Sequence, residues 1–158
     1  MKLSISDFRC FHEVKNIEFR PINILVGENS AGKSSFLAAI RFLFDLFRDD
    51  AKPSFNKDPF FLGSYDQIAH FRGGRFGRAK EFSFSYSGTL NREFLRRHPV
   101  IKEMSASTED RFSTRVSFTN NRSQPAVSSI QFQSGLFGLN VTLGGTPNGE
   151  VITPTRRL

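Results

Sequence analysis

The chain contains one complete copy of the glycine-rich pattern G-x-x-x-x-G-K-[ST], running from Gly27 to Ser34. An apolar run precedes it, and afterwards apolar residues recur every three or four positions, as on one face of a helix. The order strand, glycine loop, helix is the setting in which this pattern binds phosphate. The sequence therefore predicts a buried strand over residues 22–26, a phosphate-binding loop, and a helix over residues 33–47.

Each residue type in the loop has a chemical reason. The two glycines permit a tight turn whose amides point at phosphate oxygens, and the helix N-terminus adds partial positive charge. Lys33 is expected on the β- and γ-phosphates, the Ser34 hydroxyl on Mg²⁺, and Ser35 near the α-phosphate. The predicted nucleotide-binding residues are Gly27, Asn29, Ser30, Ala31, Gly32, Lys33, Ser34 and Ser35.

Composition and charge restrict the class of protein. A length of 158 residues, 38% of them hydrophobic and 23% charged, predicts one soluble globular domain. The single cysteine, Cys10, excludes an internal disulfide and suits a reducing compartment. No apolar run reaches the ~20 residues that span a bilayer, so we expect a cytoplasmic protein without a membrane partner. The net charge of +7 favours anionic partners such as nucleotides and nucleic acids.

The remaining segments differ in pattern. From Glu81 onward apolar and polar residues alternate, which predicts antiparallel strands with one buried face. The other predicted elements are strands at 2–8 and 14–20, a surface connection at 48–64, a short helix at 65–71, a basic glycine-rich loop at 72–78 and a helix near 90–97. The predicted fold class is α/β of mixed α+β type, with the strand–loop–helix unit packed beside a Phe-rich antiparallel β-sheet.

The acidic residues of a nucleotide hydrolase are not recognisable. Such an enzyme normally has a strand of apolar residues ending in Asp, which binds Mg²⁺, often followed by a Glu that activates water. None of the acidic residues after the predicted helix follows such a run. Asp45 does follow Phe42-Leu43-Phe44, but it falls inside the helix and is rejected. We therefore predict no catalytic residue in this chain.

Two stretches resemble the N-terminal lobe of ATPases related to RecF, SMC and the OLD proteins, whose heads share the ABC-type fold. They are residues 3–11 (Leu-Ser-Ile-Ser-Asp-Phe-Arg-Cys-Phe) and residues 24–40, where Asn29 falls on the family's characteristic asparagine. Residues 62–70 are similar to a segment of the bacterial AAA family ATPases within this superfamily. The resemblance implies ATP and Mg²⁺ as ligands and places Arg9 near the nucleotide.

In that family the acidic motif and the signature motif lie in a C-terminal half, and two heads enclose ATP. The resemblance thus implies that residues 1–158 are one domain, the N-terminal part of a head, with a phosphate-loop core at 1–47, a connector at 48–80 and a β subdomain at 81–158. It implies an ATPase within a complete head, inactive as this chain alone, whose partners are its C-terminal half or a second head in a homo-oligomer or complex. ABC-type heads also use a Mg²⁺-sensing glutamine, and the sequence does not choose among Gln67, Gln124, Gln131 and Gln133.

A basic loop suggests a further partner. Arg72, Arg75, Arg78 and Lys80 are interleaved with phenylalanines, as in proteins that bind single-stranded DNA or RNA. A solvated basic turn is the alternative for these residues. Two alternative functions therefore stay open beside the ATPase lobe: a nucleotide-binding regulator that does not hydrolyse, and a nucleic-acid-binding module with a vestigial phosphate loop.

Overall fold

The computed structural model describes residues 1–46, 54–90, 110–134, 138–143 and 150–155. The strands are β1 (Lys2–Phe8), β2 (Phe11–Glu18), β3 (Asn56–Lys57), β4 (Phe60–Phe61), β5 (Glu81–Leu90), β6 (Asp110–Asn121), β7 (Gln124–Ser134), β8 (Gly138–Leu143) and β9 (Glu150–Thr155). The helices are α1 (Lys33–Leu46) and α2 (Tyr65–Ile68), and one 3₁₀ turn covers Gly74–Phe76. Among these described helices, none is long and apolar enough to cross a membrane.

Seven strands form one antiparallel sheet in the order β2-β1-β5-β6-β7-β8-β9. β1 pairs with both β2 and β5, so the N-terminal hairpin and the later strands belong to the same sheet. The alternation after Glu81 correctly predicted strands here, because one face of the sheet is buried and the other is polar. The described residues thus form a mixed α/β structure, as expected, and contain few helices.

Phenylalanine rings fill the core between the sheet and α1. Phe82, Phe84 and Phe118 are each no more than 1% exposed. Phe42 of α1 stacks on Phe55 with ring centroids 3.9 Å apart, and both rings contact Phe118. Tight aromatic packing of this kind fixes α1, and with it the loop that precedes α1, relative to the sheet.

Residues 48–64 were predicted as a surface connection, and this is wrong for two of the residues that the structure describes. Phe55 is 7% exposed and Leu62 is 9% exposed, because the β3–β4 hairpin folds back onto α1. The prolines and charges of this segment correctly indicate a turn, but they gave no sign that the turn carries a core aromatic residue. The predicted helix near residues 90–97 lies outside the described residues, except that Leu90 ends β5.

The predicted buried strand before the loop is also wrong for this chain. Residues 22–26 form no strand, and Ile22, Ile24 and Val26 are 81%, 81% and 89% exposed. The physical reason is that no other described segment forms a strand ladder with their backbone. An apolar strand needs such neighbours to be buried.

Candidate nucleotide-binding site

The loop presents a row of backbone amides without protein partners. Within it, the Ala31 amide donates to the Glu28 carbonyl (3.3 Å), and the Phe36 amide donates to the Gly32 carbonyl (2.9 Å). Among the described residues, no group accepts a hydrogen bond from the amides of Asn29, Ser30, Gly32, Lys33, Ser34 or Ser35. The last three begin α1, where amides have no intrahelical partner. These donors are therefore available to an anion at the helix N-terminus.

Gly32 is required by its own conformation and by its neighbours. Its φ is 93°, in the region that side chains rarely adopt. A Cβ on Gly32 would overlap the Cys10 sulfur and lie 3.1 Å from the Phe11 ring. Sequence analysis did not find this contact, because Cys10 and Phe11 lie more than twenty positions away and belong to no motif. The turn after β1 thus packs directly against the loop.

Lys33 folds back over the loop that it follows. Its ammonium group donates hydrogen bonds to the carbonyls of Gly27 (2.7 Å) and Glu28 (2.5 Å). The cation therefore lies against the first two residues of the loop. The same ammonium group can exchange these carbonyls for a phosphate, which forms stronger, charge-assisted hydrogen bonds.

Arg9, which the family resemblance places near the nucleotide, lies beside the start of α1. It occupies the turn between β1 and β2 with a φ of 51°. Its guanidinium group donates to the Ser35 hydroxyl (3.4 Å) and to the carbonyls of Leu62 (3.4 Å) and Gln67 (3.2 Å). These contacts place a fixed positive charge next to the phosphate-binding loop.

A comparison with protein families gives a match between residues 2–137 and a family described as the AAA domain. The match includes the loop, the Arg9 turn and the sheet through β7. The chain belongs to the AAA domain family. It is therefore an AAA-type P-loop ATPase domain, and this family generally uses ATP and Mg²⁺. No curated protein and no solved structure gives a significant match.

The residues of this AAA domain fit a Mg²⁺-bound nucleotide. The free amides and Lys33 supply donors for phosphate oxygens, and the Ser34 side chain is exposed at the first turn of α1. A serine hydroxyl at that position is the usual protein ligand of Mg²⁺ in P-loop proteins. The described residues therefore offer hydrogen-bond donors for the phosphates and a hydroxyl oxygen for Mg²⁺.

Asp7 connects β1 of the AAA domain to the basic loop. It accepts hydrogen bonds from Arg72 (2.6 Å) and lies 2.8 Å from the His12 ring nitrogen. Burial opposes ionisation of this carboxyl group, but the bonds from Arg72 and His12 outweigh it and hold the pKa of Asp7 below its ordinary value of 3.8. Arg72 is thus engaged within the domain rather than free for a ligand.

Two other members of the basic loop lie over exposed rings. The Arg75 guanidinium lies 5.2 Å from the Phe76 ring, and the Arg78 guanidinium lies 5.0 Å from the Phe71 ring. Lys80, the remaining member, immediately precedes β5. The structure therefore groups the predicted nucleic-acid residues at one place, but it does not join them to the phosphate loop directly.

Two candidates from the sequence have structural roles. Asp45 lies inside α1, as predicted, is 4% exposed, and binds Arg41 (3.2 Å) and Lys57 (3.8 Å). It ties the β3–β4 hairpin to the helix. The Gln67 side chain accepts a hydrogen bond from the Ser64 amide at the start of α2 (2.9 Å). In this arrangement Gln67 caps α2.

Proposed function

We propose that this AAA domain is the ATP-binding lobe of a RecF/SMC/OLD-like P-loop ATPase. The observation that carries the proposal is the set of unpaired amides at Asn29, Ser30 and Gly32 and at the first three residues of α1, with the Lys33 ammonium group bonded to carbonyls of the same loop. Unpaired donors at a helix N-terminus, next to a fixed cation, favour a polyphosphate over other anions. Arg9 adds a second positive charge beside the same helix turn.

In this proposal the backbone of residues 27–32 surrounds the phosphates, Lys33 binds the β- and γ-phosphates, and Ser34 holds Mg²⁺. The metal ion, when bound, neutralises charge on the phosphate oxygens. Ser35 lies near the α-phosphate, and Arg9, which donates to the Ser35 hydroxyl, lies beside it. Selection of adenine rests on the family resemblance.

Hydrolysis requires an acidic, Walker-B-bearing half that this chain does not supply. The support is the exposed apolar surface made by Ile22, Ile24 and Val26, together with Leu37 (45% exposed) and Phe44 (61% exposed) on α1. Exposed large apolar side chains on both sides of the loop in the sequence favour an interaction site there. Its proposed occupant is the C-terminal half of the head or a second head, in a cytoplasmic homo-oligomer or complex that acts in DNA transactions or antiphage defence.

Titration of the chain with fluorescent ATP and Mg²⁺ tests nucleotide binding. Lys33→Ala should weaken binding by about 10- to 100-fold, because a charge-assisted hydrogen-bond set to phosphate is lost. Lys15→Ala is the matched control, since Lys15 is exposed and pairs with Glu13 on β2. Equal affinities of the two variants would contradict the proposal.

Measurement of phosphate release separates the ATPase lobe from its alternative. We expect the isolated chain to bind ATP and to release almost no phosphate. Turnover that appears when a Walker-B-bearing polypeptide is added supports the ATPase lobe. Binding without turnover in every assembly supports the non-hydrolysing regulator, and vigorous turnover by the chain alone contradicts both.

A second candidate function is nucleic-acid binding through the basic loop. The specific observation is that Phe71 and Phe76 are 53% and 68% exposed, each with an arginine stacked on its ring. Aromatic faces next to cations bind single strands by stacking and by charge. If the phosphate loop is vestigial, Lys33→Ala leaves oligonucleotide affinity unchanged, and the wild-type chain binds no ATP.

A further inference from the structure

A cavity of about 410 Å³ lies where the basic loop meets the polar face of the sheet. No residue of the phosphate-binding loop lines it. The lining residues that matter here are Arg72, Phe76, Arg78, Lys80, Ser83 and Arg115. Arg115 and Ser83 come from neighbouring strands of the sheet, and neither belongs to a motif of the sequence.

Strand alternation explains how Arg115 reaches this cavity. In β5 and β6 the residues Phe84 and Val116 pair directly and face the aromatic core. Their chain neighbours therefore face the opposite side, where Arg115 is paired with Ser85. The Arg115 guanidinium donates two hydrogen bonds to the Ser83 hydroxyl, at 3.2 and 3.0 Å. This contact fixes the guanidinium at the cavity wall.

The cavity has more positive than negative charge. Its carboxylates are Asp7 and Glu81, and Asp7 is already engaged by Arg72. Within the described part of the chain, no carboxylate forms an ion pair with Arg78, Lys80 or Arg115. A guanidinium group that is held by neutral hydroxyl or carbonyl oxygens keeps donors for an incoming anion. The cavity is therefore suited to a phosphate group.

The rim of the cavity is aromatic. Phe76 lines it and is 68% exposed, so its ring is accessible from solvent. The Arg75 guanidinium lies over the same ring. An exposed ring beside a cationic cavity matches the alternation of base and phosphate in a single nucleic-acid strand.

We infer that this cavity binds one phosphate of a single nucleic-acid strand, with Arg115 and Lys80 as its cations, and that the adjacent base stacks on Phe76. The site extends the contact proposed for the basic loop onto the sheet, and in this respect it rests on that proposal. It does not depend on ATP. A duplex fits poorly, because its bases are already stacked and cannot cover the Phe76 ring.

Fluorescence anisotropy with a labelled 20-nucleotide thymidine strand, measured over a range of salt concentrations, tests the inference. Arg115→Ala should weaken binding about tenfold and reduce the slope of log affinity against log salt by about 0.7, the value for one phosphate of a single strand. Phe76→Ala should weaken binding by about 5- to 100-fold with an unchanged slope, because stacking involves no counterion.

Arg111→Ala is the matched control. Arg111 lies on the same face of β6 and is exposed, but it does not line the cavity. Arg115→Lys keeps the charge and should retain most of the salt slope, which separates loss of the phosphate contact from loss of the fold. Unchanged ATP affinity in Arg115→Ala shows that the nucleotide site is intact.

Any of three results overturns the inference. The first is an equal loss of strand affinity in Arg111→Ala and Arg115→Ala. The others are equal affinities of the wild-type chain for the single strand and its duplex, or for the single strand and inorganic polyphosphate. If the four-residue loop variant (Arg72, Arg75, Arg78 and Lys80 all to Ala) binds the strand normally, the basic-loop proposal fails. If that variant loses binding and Arg115→Ala does not, only the extension onto the sheet fails.

Discussion

The strand β5 and the segment 22–26 are both rich in large apolar residues, and their environments are opposite. Phe84 in β5 is fully buried, while Ile24 is 81% exposed. β5 has a hydrogen-bonded strand on each side, whereas residues 22–26 have none among the described strands. Apolar content therefore predicts that a segment will be buried, but it does not tell which part of a protein, or which other chain, will cover it.

The largest expected effect on stability is in β5, the buried member of the pair. Phe84→Ala should lower the free energy of unfolding by about 3–5 kcal/mol, because it leaves a cavity among five contacting rings. Denaturant unfolding followed by circular dichroism measures the change. A loss below about 1 kcal/mol would mean that the aromatic core packs loosely.

Gly32→Ala affects the phosphate-binding loop, which follows residues 22–26 and packs against the turn after β1. The φ of 93° and the overlap of the new methyl group with Cys10 should lower the free energy of unfolding by roughly 1–2 kcal/mol. ATP affinity should fall as well, because the loop must shift. Cys10→Ala in the same background creates space for the methyl group. It should restore part of the stability, and full restoration would show that the contact matters more than the backbone strain.

Asp7→Asn should give a smaller, pH-dependent effect. Because the pKa of Asp7 is lower in the folded state, the charged carboxylate stabilises the fold above its ordinary value of 3.8, and this stability is lost as the pH falls through the lowered value. The variant should be less stable than wild type at pH 6 and equal to it in strong acid. A difference that persists at the lowest pH would assign the effect to packing.

Ile24→Ser should have the smallest effect on stability, within about 0.5 kcal/mol, because the side chain is already in solvent. The same change should reduce self-association, measured by sedimentation velocity, if residues 22–26 are an interaction surface. Leu3→Ser provides the contrast, since Leu3 is also a large apolar residue but is buried. A large loss of stability in Ile24→Ser would show that the segment is covered within the chain itself.

The sequence predicted the elements whose pattern is local. The glycine pattern located α1 to within one residue at its start, and the alternation of Leu3 and Ile5 located β1, since a strand period of two is visible in a few residues. Long-range contacts were not visible. Nothing local shows that Phe55 stacks on Phe42, or that the Cys10 side chain occupies the space beside Gly32.

The same distinction holds for the candidate site. The loop residues follow from a motif because their chemistry depends on adjacent backbone amides. Arg9 was expected through a family resemblance, and its actual contacts with Ser35, Leu62 and Gln67 depend on three separate parts of the chain. No local pattern distinguishes Arg115, because it lines the cavity only together with residues of the basic loop that lie far from it in the sequence.

The hairpin turn between β1 and β2 has only Arg9 and Cys10 between the paired residues Phe8 and Phe11. Within this turn the Arg9 side chain reaches α1, its amide donates to Ile68, and its carbonyl contacts the His70 ring. One extra residue would move all three contacts at once and carry Cys10 away from Gly32. The length of this turn therefore sets the distance between the phosphate loop and the rest of the domain. Deletions or insertions there should be far less tolerated than at other hairpin ends.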